Sequence, residues 1–455
     1  MFRTLANAFR NKEVRTKLLL TLLLLFIYRV GCWIPTPGLD VAALGADNAS
    51  IFGETSFLGL LNSITGDGLS NGALLALGIS PYINASIIAQ LLTIAIPPLE
   101  RWTKQGDEGK RKMAMFTRVL TVLLAVVQTV GILVSFARGG YINTAIYGIS
   151  IPSAVVYILI GVVLIAGAVF TMWLGERITD LGIGNGISLL IFVGILSTAG
   201  LAIVNSISIM ATGGEEAEMQ PWYLLIFLVM VVFIFGFITF IDGAERKIPV
   251  SYAKQIKGRK QFGGQNTHIP IKVNASGVLP IIFATAIITF PQLIMQMVGS
   301  DMDNWWTNIF GTGSPGYYAL SALLILFFSY FYAMIQFKPD EVARNLQQYG
   351  GFIPGIRPGR ATQDYLSKVN KRLTLFGAIY LAVIFIIPSL LFSILNVTIN
   401  FNSALTNAFS STGMLIVVSV ALEFQKQLDN QLLMRQYRGF LKQLSLIHIS
   451  EPTRP

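Results

Sequence analysis

Hydrophobic residues in this chain come in long blocks rather than in short alternations. Ten runs are mostly apolar: Leu18–Ile34, Ile79–Pro98, Val119–Ala137, Ala154–Leu174, Ile187–Ile207, Trp222–Ile241, Ala275–Val298, Tyr317–Phe337, Leu373–Ile394 and Ala404–Phe424. A helix needs roughly 20 such residues to cross the hydrocarbon core of a bilayer. In lipid every backbone N–H and C=O must be paired within the chain, so these runs predict helices. One stretch between the first and second runs breaks the pattern: FLGLLNSITGDGLSNGALLALG, Phe57 to Gly78. It carries five glycines, two asparagines and Asp67. It is too short and polar to cross, yet too apolar to prefer water. Composition leaves two readings open. One is a re-entrant segment folded back where protein covers its backbone. The other is an amphipathic surface loop.

Composition removes the soluble alternatives. Of 455 residues, 53% are hydrophobic and 12% charged, whereas soluble domains run near a quarter charged. A soluble fold of this length cannot hide so much apolar surface. The expected fold class is therefore an all-α polytopic membrane protein with ten transmembrane helices. The start, MFRTLANAFRNKEVRTK, is basic and precedes an apolar run, as in a signal peptide. No small-residue cleavage site follows that run, so a retained first span is expected. The single cysteine, Cys32, excludes an internal disulfide.

The charge of +10 acquires meaning from its placement. Residues 1–17, 99–118, 175–186, 242–274, 338–372 and 425–455 hold 31 of the 33 Lys and Arg residues. The segments on the opposite side of the runs hold nine acidic residues, and the two remaining basic residues are Arg29 and Arg138. By the positive-inside rule the basic segments and both termini face the cytoplasm. Arg29 lies near the external end of the first run, where it can snorkel.

Two basic segments are too long to be turns. Residues 242–274 contain two β-like patches, IPVSYAKQI and HIPIKV, around GRKQFGGQ, a hairpin pattern. Residues 338–372 contain a helical stretch, DEVARNLQQY, then GG, then PGIRPGR, a rigid basic tip. Basic tips with aromatics suit an acidic or RNA-bearing partner. A solvated, topology-setting loop with headgroup contact is the plainer account.

The apolar runs lack catalytic chemistry. Glu176, Asp242 and Glu423 lie at or beyond cytoplasmic ends, and His268 and His448 lie outside the runs. Ion-coupled transporters place ionisable groups at mid-depth, and an intramembrane protease needs a Ser–His pair or two aspartates. Neither arrangement is present. Gly182-Ile-Gly-Asn-Gly186 lacks the strand context and the GK[ST] of a phosphate loop. No metal-ligand cluster and no cofactor motif appears. The runs offer isoleucines four apart instead, Ile83 with Ile87 and Ile187 with Ile191, each pair on one helix face. Lipid or helix contact is their default role, as interhelical hydrogen bonding is for Asn84, Ser86 and Gln90. The second run begins GISPYI and the seventh GVLPII, and each ends near another proline, Pro97 or Pro291. Matching proline breaks in two sets of five runs point to an inverted repeat with a pathway between the halves.

Five motifs in order carry a family resemblance: GISPYINASIIAQLL (78–92), WLGERITDLGIGNGISLLIF (173–192), THIPIKVNASGVLPIIFA (267–284), GGFIPGIRPGRAT (350–362) and LIVVSVALEF (415–424). Over about residues 1–440 the chain resembles the SecY family, channel-forming subunits of the bacterial preprotein translocase. The resemblance implies two five-helix halves around a central pore, here 1–207 and 208–424, with a cytoplasmic tail at 425–455. It implies an apolar pore ring of Ile83, Ile87, Ile187, Ile191, Ile282 and Ile416. An apolar constriction resists wetting, yet aliphatic side chains can part around any polypeptide. It implies a lateral gate toward lipid that includes Asn84, Gln90 and Thr285. It tips the Phe57–Gly78 stretch toward a plug that seals the pore, with Leu60, Leu61, Asn62, Ile64, Gly66, Asp67, Gly68, Leu69, Gly72 and Leu74. It implies docking of the SecA motor or a ribosome on Lys257, Arg259, Lys260, Arg357 and Arg360. SecE and SecG are the implied membrane partners, signal-bearing preproteins the cargo, and the bacterial cytoplasmic membrane the location. The residues 444–455, LSLIHISEPTRP, depart from the short basic tail of the family. The expected function is a passive protein-conducting channel without enzymatic activity. The alternatives are a secondary transporter for a small solute and a structural scaffold.

Overall fold

The computed structural model describes residues 7–46, 52, 57–146, 149–150, 152–212, 221–252, 255–257, 260–262, 267–298, 309, 314–399, 405 and 409–449. The chain forms two compact units, Met1–Ala202 with Val420–Pro455, and Ile203–Ser419.

The first unit opens with α1 (Lys12–Gly31), capped by the Asn11 side chain, which accepts from the Glu13 N–H at 3.3 Å. Its buried positions Val14, Leu18, Thr21, Leu25 and Tyr28 recur every three or four residues and form one face. Then come α2 (Phe57–Thr65), α3 (Ser80–Ala95), α4 (Pro97–Lys104) and α5 (Gly106–Gly139). A small hairpin, β1 (Ala145–Ile146) with β2 (Ile149–Ser150), leads to α6 (Ser153–Leu181) and α7 (Gly186–Thr212). Between α3 and α4 the axis bends by 107°. Pro97 causes this break: the residue before a proline is pushed out of the helical region, and Ile96 is extended at φ −114°, ψ 108°. The GIGNG stretch is the turn from α6 to α7. Asn185 caps α7 by accepting from the Ile187 N–H at 3.1 Å, and the Ile183 N–H donates to Thr21 Oγ1 at 3.1 Å. Arg118 and Glu176 join α5 to α6 through two hydrogen bonds, 2.9 and 2.8 Å. Arg118 is half exposed, so the pair adds about 0–1 kcal/mol; packing holds the helices together.

The second unit contains α8 (Pro221–Asp242), strands β3 (Glu245–Tyr252), β4 (Gln255–Lys257), β5 (Lys260–Phe262) and β6 (Thr267–Lys272), and α9 (Leu279–Val298). It continues through α10 (Pro315–Gln336), α11 (Pro339–Gln348), β7 (Gly351–Phe352) and α12 (Arg360–Ile399). The last helix, α13, spans Ser411–Ile449. α10 starts where expected: Ser314 accepts from the Tyr317 N–H at 3.1 Å and Pro315 fills the first turn.

Among the described residues, six stretches are long and apolar enough to cross a membrane: Gly106–Gly139, Ser153–Leu181, Gly186–Ser208, Trp222–Asp242, Pro315–Gln348 and Arg360–Phe392. The bent α3–α4 pair is a seventh if counted as one span. Their outward faces are apolar. On α8, Phe233 is 74% exposed and Phe240 78%. Contiguous apolar surface of this extent on a folded chain marks lipid contact.

The two long basic loops depart from an all-α fold. β3 pairs antiparallel with β6, from Glu245↔Lys272 to Val250↔Thr267, as the hairpin pattern predicts. The sequence pattern did not predict that β7, from the other loop, pairs with the far end of β3 at Ser251↔Phe352 and Tyr252↔Gly351. The resulting sheet, ordered β6-β3-β7, covers a core of Ile248, Val250, Ile271, Leu346, Ile353 and Leu366. The loops therefore share one folded module. Residues from Arg360 onward belong to α12 rather than to a loop.

Candidate functional site

The Phe57–Gly78 stretch is folded against its neighbours. α2 is short because its sequence, FLGLLNSIT, runs into Gly66 and Asp67, both in the left-handed region at φ 71° and 65°. Glycine adopts that region without penalty, and aspartate is among the few side chains that tolerate it. Asn62 closes the turn. Its Nδ2 donates to Asp67 Oδ1 at 3.1 Å, and its Oδ1 accepts from the Ser70 N–H at 2.9 Å. Asn62 is 6% exposed, and both ends of its amide are satisfied, which removes the desolvation penalty of an unpaired buried polar group. Burial pushes the Asp67 carboxyl up, and the Arg29 charge and the Asn62 amide pull it back.

Tight backbone contacts fix the segment's position. A Cβ on Gly194 of α7 would collide with the Ile64 carbonyl oxygen, and one on Gly167 of α6 with the Leu74 carbonyl oxygen. The Leu74 N–H donates to Ile34 O at 2.9 Å and the Thr36 N–H to Gly72 O at 2.7 Å. Leu61, Leu69, Leu75 and Leu77 are buried, Ile64 and Leu74 half-buried, and Gly66, Gly68 and Gly72 buried. Leu60 lies in α2, its side chain outside the described set. Arg29 behaves differently from the snorkelling side chain expected. Its Nη1 donates to Gly66 O at 2.6 Å and its guanidinium lies 5.8 Å from the Trp33 ring centroid. A carbonyl freed by the Gly66–Asp67 turn supplies the acceptor that hydropathy alone could not reveal.

The isoleucines fall into two groups. In the first unit Ile83 and Ile87 share a face of α3, and Ile187 and Ile191 a face of α7. Ile87 and Ile191 are buried, Ile83 and Ile187 half-buried. In the second unit Ile282 is half-buried in the first turn of α9, and Ile416 is buried near the start of α13. Of the gate candidates, Asn84 is half-buried, and Gln90 is exposed and donates to Ser86 Oγ at 3.3 Å. Thr285 Oγ1 donates to Ile281 O at 3.0 Å, a bond within its own helix.

In the basic module Lys257 and Lys260 are register partners at the β4–β5 turn, and Arg259 lies outside the described residues. Arg357 is exposed in a stiff tip between Pro354 and Pro358, with Gly355 and Gly359 at φ 81° and 98°. The Arg357 carbonyl accepts from Thr362 Oγ1 at 2.9 Å. Ile353 and Ile356 anchor the tip in the module core. Arg360 is exposed at the start of α12. Among the described residues no group of His, Cys, Asp and Glu could hold a metal ion.

In fold the chain is similar to protein-conducting channels. A structure described as that of a protein conducting channel matches at a TM-score of 0.61 and 19% identity, over 91% of each chain. Sec61 in the canine ribosome–channel complex from the endoplasmic reticulum matches at a TM-score of 0.60 and 18% identity, again over 91% of each. The class is thus a membrane-embedded helical protein with the channel fold. The SecY family model matches residues 73–425. Protein translocase subunit SecY of Halalkalibacterium halodurans is 42% identical over 449 residues, 97% of this chain and 100% of that one. The chain belongs to the SecY family.

Proposed function

We propose that the chain is the protein-conducting channel subunit of a preprotein translocase in the bacterial cytoplasmic membrane, with both termini in the cytoplasm. Ten spans form two inverted halves, 1–207 and 208–424, and the tail from 425 is cytoplasmic. The ring is Ile83, Ile87, Ile187, Ile191, Ile282 and Ile416, and the gate includes Asn84, Gln90 and Thr285. Unfolded preproteins pass through the ring, and membrane segments leave through the gate into lipid. SecA or a ribosome docks on the basic module through Lys257, Arg259, Lys260, Arg357 and Arg360, and SecE and SecG complete the complex. Family membership at 42% identity over nearly the full chain carries the reading.

Local geometry supports the plug. Phe57–Gly78 has a buried apolar side and a polar hinge of Asn62, Asp67 and Ser70. Close backbone contacts at Gly194 and Gly167 position it beside its buried leucines. Such a segment closes a pore and still leaves it. The test is reconstitution with SecE and SecG in proteoliposomes. Translocation is expected only with SecA, ATP and a signal-bearing preprotein. Solute flux without them would instead favour a secondary transporter.

A further inference from the structure

We propose that Asp242 is a positioning residue that sets the register of the two helices carrying Ile282 and Ile416; this rests on reading those isoleucines as members of the pore ring. Asp242 ends α8, a helix of 22 residues that carries no other charged side chain. Its placement runs against local physics twice. A carboxylate at a helix C-terminus meets the negative end of the macrodipole. An acidic side chain bordering lipid is disfavoured unless it is paired.

Two donors from distant parts of the chain satisfy it. Asn274 Nδ2 donates to Asp242 Oδ1 at 2.9 Å, and Ser419 Oγ donates to Asp242 Oδ2. Asn274 is 6% exposed. It belongs to the connection between β6 and α9, and that connection is itself pinned. The Val273 N–H donates to Ala244 O at 3.1 Å, and a Cβ on Gly377 of α12 would come within 2.8 Å of Val273 O. Five residues after Asn274 the chain enters α9, with Ile282 in the first turn. Ser419 lies one turn beyond Ile416 on α13. One carboxylate therefore ties the entrance of the first helix to the turn following the isoleucine of the second.

The tie needs a side chain at 242 that hydrogen-bonds to both partners. Both Ser419 and Asn274 donate, and the two oxygens of an ionised carboxylate take one bond each. An asparagine at 242 could keep both contacts, accepting from Asn274 through Oδ1 and donating through Nδ2 to the serine oxygen. Alanine keeps neither.

The test uses the full complex with SecE and SecG in planar bilayers, without motor or preprotein, and reads resting ion conductance. Asp242→Ala and Ser419→Ala are each expected to raise it roughly tenfold, the change that loss of a charge-assisted bond makes to a closed–open equilibrium. The double variant is expected to match Asp242→Ala alone, because both remove the same tie. Asp242→Asn is expected to leak less than Asp242→Ala and only a few-fold, roughly, more than the unaltered chain, since both bonds survive without the charge. If Asp242→Ala does not assemble, Ser419→Ala decides alone, as it removes one hydroxyl. Wild-type conductance of Ser419→Ala, beside a leaking Ile416→Asn, overturns the proposal and leaves the ring reading standing. An Asp242→Asn variant as leaky as alanine also overturns it, because charge rather than geometry would then matter. Silence of Ile416→Asn overturns the ring reading, and this proposal with it.

Discussion

Arg29 donates from Nη1 to the carbonyl oxygen of Gly66 at 2.6 Å, tying the first apolar helix to the turn that ends α2. A hydrogen bond from a charged donor contributes about 1.5–3 kcal/mol. It crosses 37 residues of sequence, so it restrains the position of the segment rather than its local conformation. On the plug reading, Arg29→Gln weakens the closed state and raises resting conductance at least roughly tenfold. Arg29→Lys, which keeps charge but loses the planar fork, is expected to fall between. Planar-bilayer recordings without preprotein measure both. Equal conductance for all three chains would show that the bond does not hold the segment.

Gly194 and Gly200 lie on the same helix and make opposite predictions. A Cβ at 194 collides with the Ile64 carbonyl, while a Cβ at 200 meets nothing within 4 Å. Gly194→Ala is therefore expected to displace α2, speed proteolysis within 57–78 and raise resting conductance. Gly200→Ala adds helix propensity of about 1 kcal/mol without a clash and is expected to leave both unchanged. If the two variants behave alike, the tight seat of the segment on α7 is not what keeps it in place.

The long apolar runs were legible because bilayer thickness imposes a minimum length on them, and α5 to α8 each contain such a run. The β3–β6 hairpin was legible from its alternating Ile248, Val250, Ile269 and Ile271. The join between the two basic loops was not. β7 is two residues long and pairs with a strand 99 or more positions away, so it leaves no periodic trace. The Arg29 partner was hidden for a related reason: the acceptor is a backbone carbonyl, which any residue type supplies. Gly194 sits in a run where glycine is ordinary, and only the approach of Ile64 gives it meaning. The chemistry of Asp242 was half legible. Its position at the end of a run stood out, but donors at 274 and 419 are brought to it by packing alone.

The shared core of the basic module makes a prediction about coupling. Leu366 is fully buried on α12, against Ile248 and Val250 of β3 and Ile271 of β6. Leu366→Ala leaves a cavity costing about 2–5 kcal/mol, a large share of what so small a core provides. Hydrogen exchange is expected to accelerate in β3 and β6 of the first loop, not only around the mutated helix. Loss of protection confined to residues 339–372 would mean that the loops fold separately.

Arg357 supplies the complementary case, a residue whose loss should change binding and not folding. It is exposed, and its tip is held by two prolines, two glycines in the left-handed region and the buried Ile353. A preorganised cation gives up little side-chain or loop freedom on docking, which is how a single arginine becomes an anchor worth about 2 kcal/mol or more. Arg357→Glu is expected to lower motor-driven translocation in proteoliposomes at least roughly thirtyfold. Melting temperature should not move, since exposed substitutions typically change stability by less than about 0.5 kcal/mol. Arg357→Lys keeps the charge without the bidentate fork and is expected to recover only part of the loss. The split between binding and stability is the informative readout. Leu366→Ala should degrade both together, because it melts the platform that presents the tip. Motor-driven translocation that survives charge reversal at Arg357 would place the docking site elsewhere on the module, with the paired lysines at the β4–β5 turn next in line.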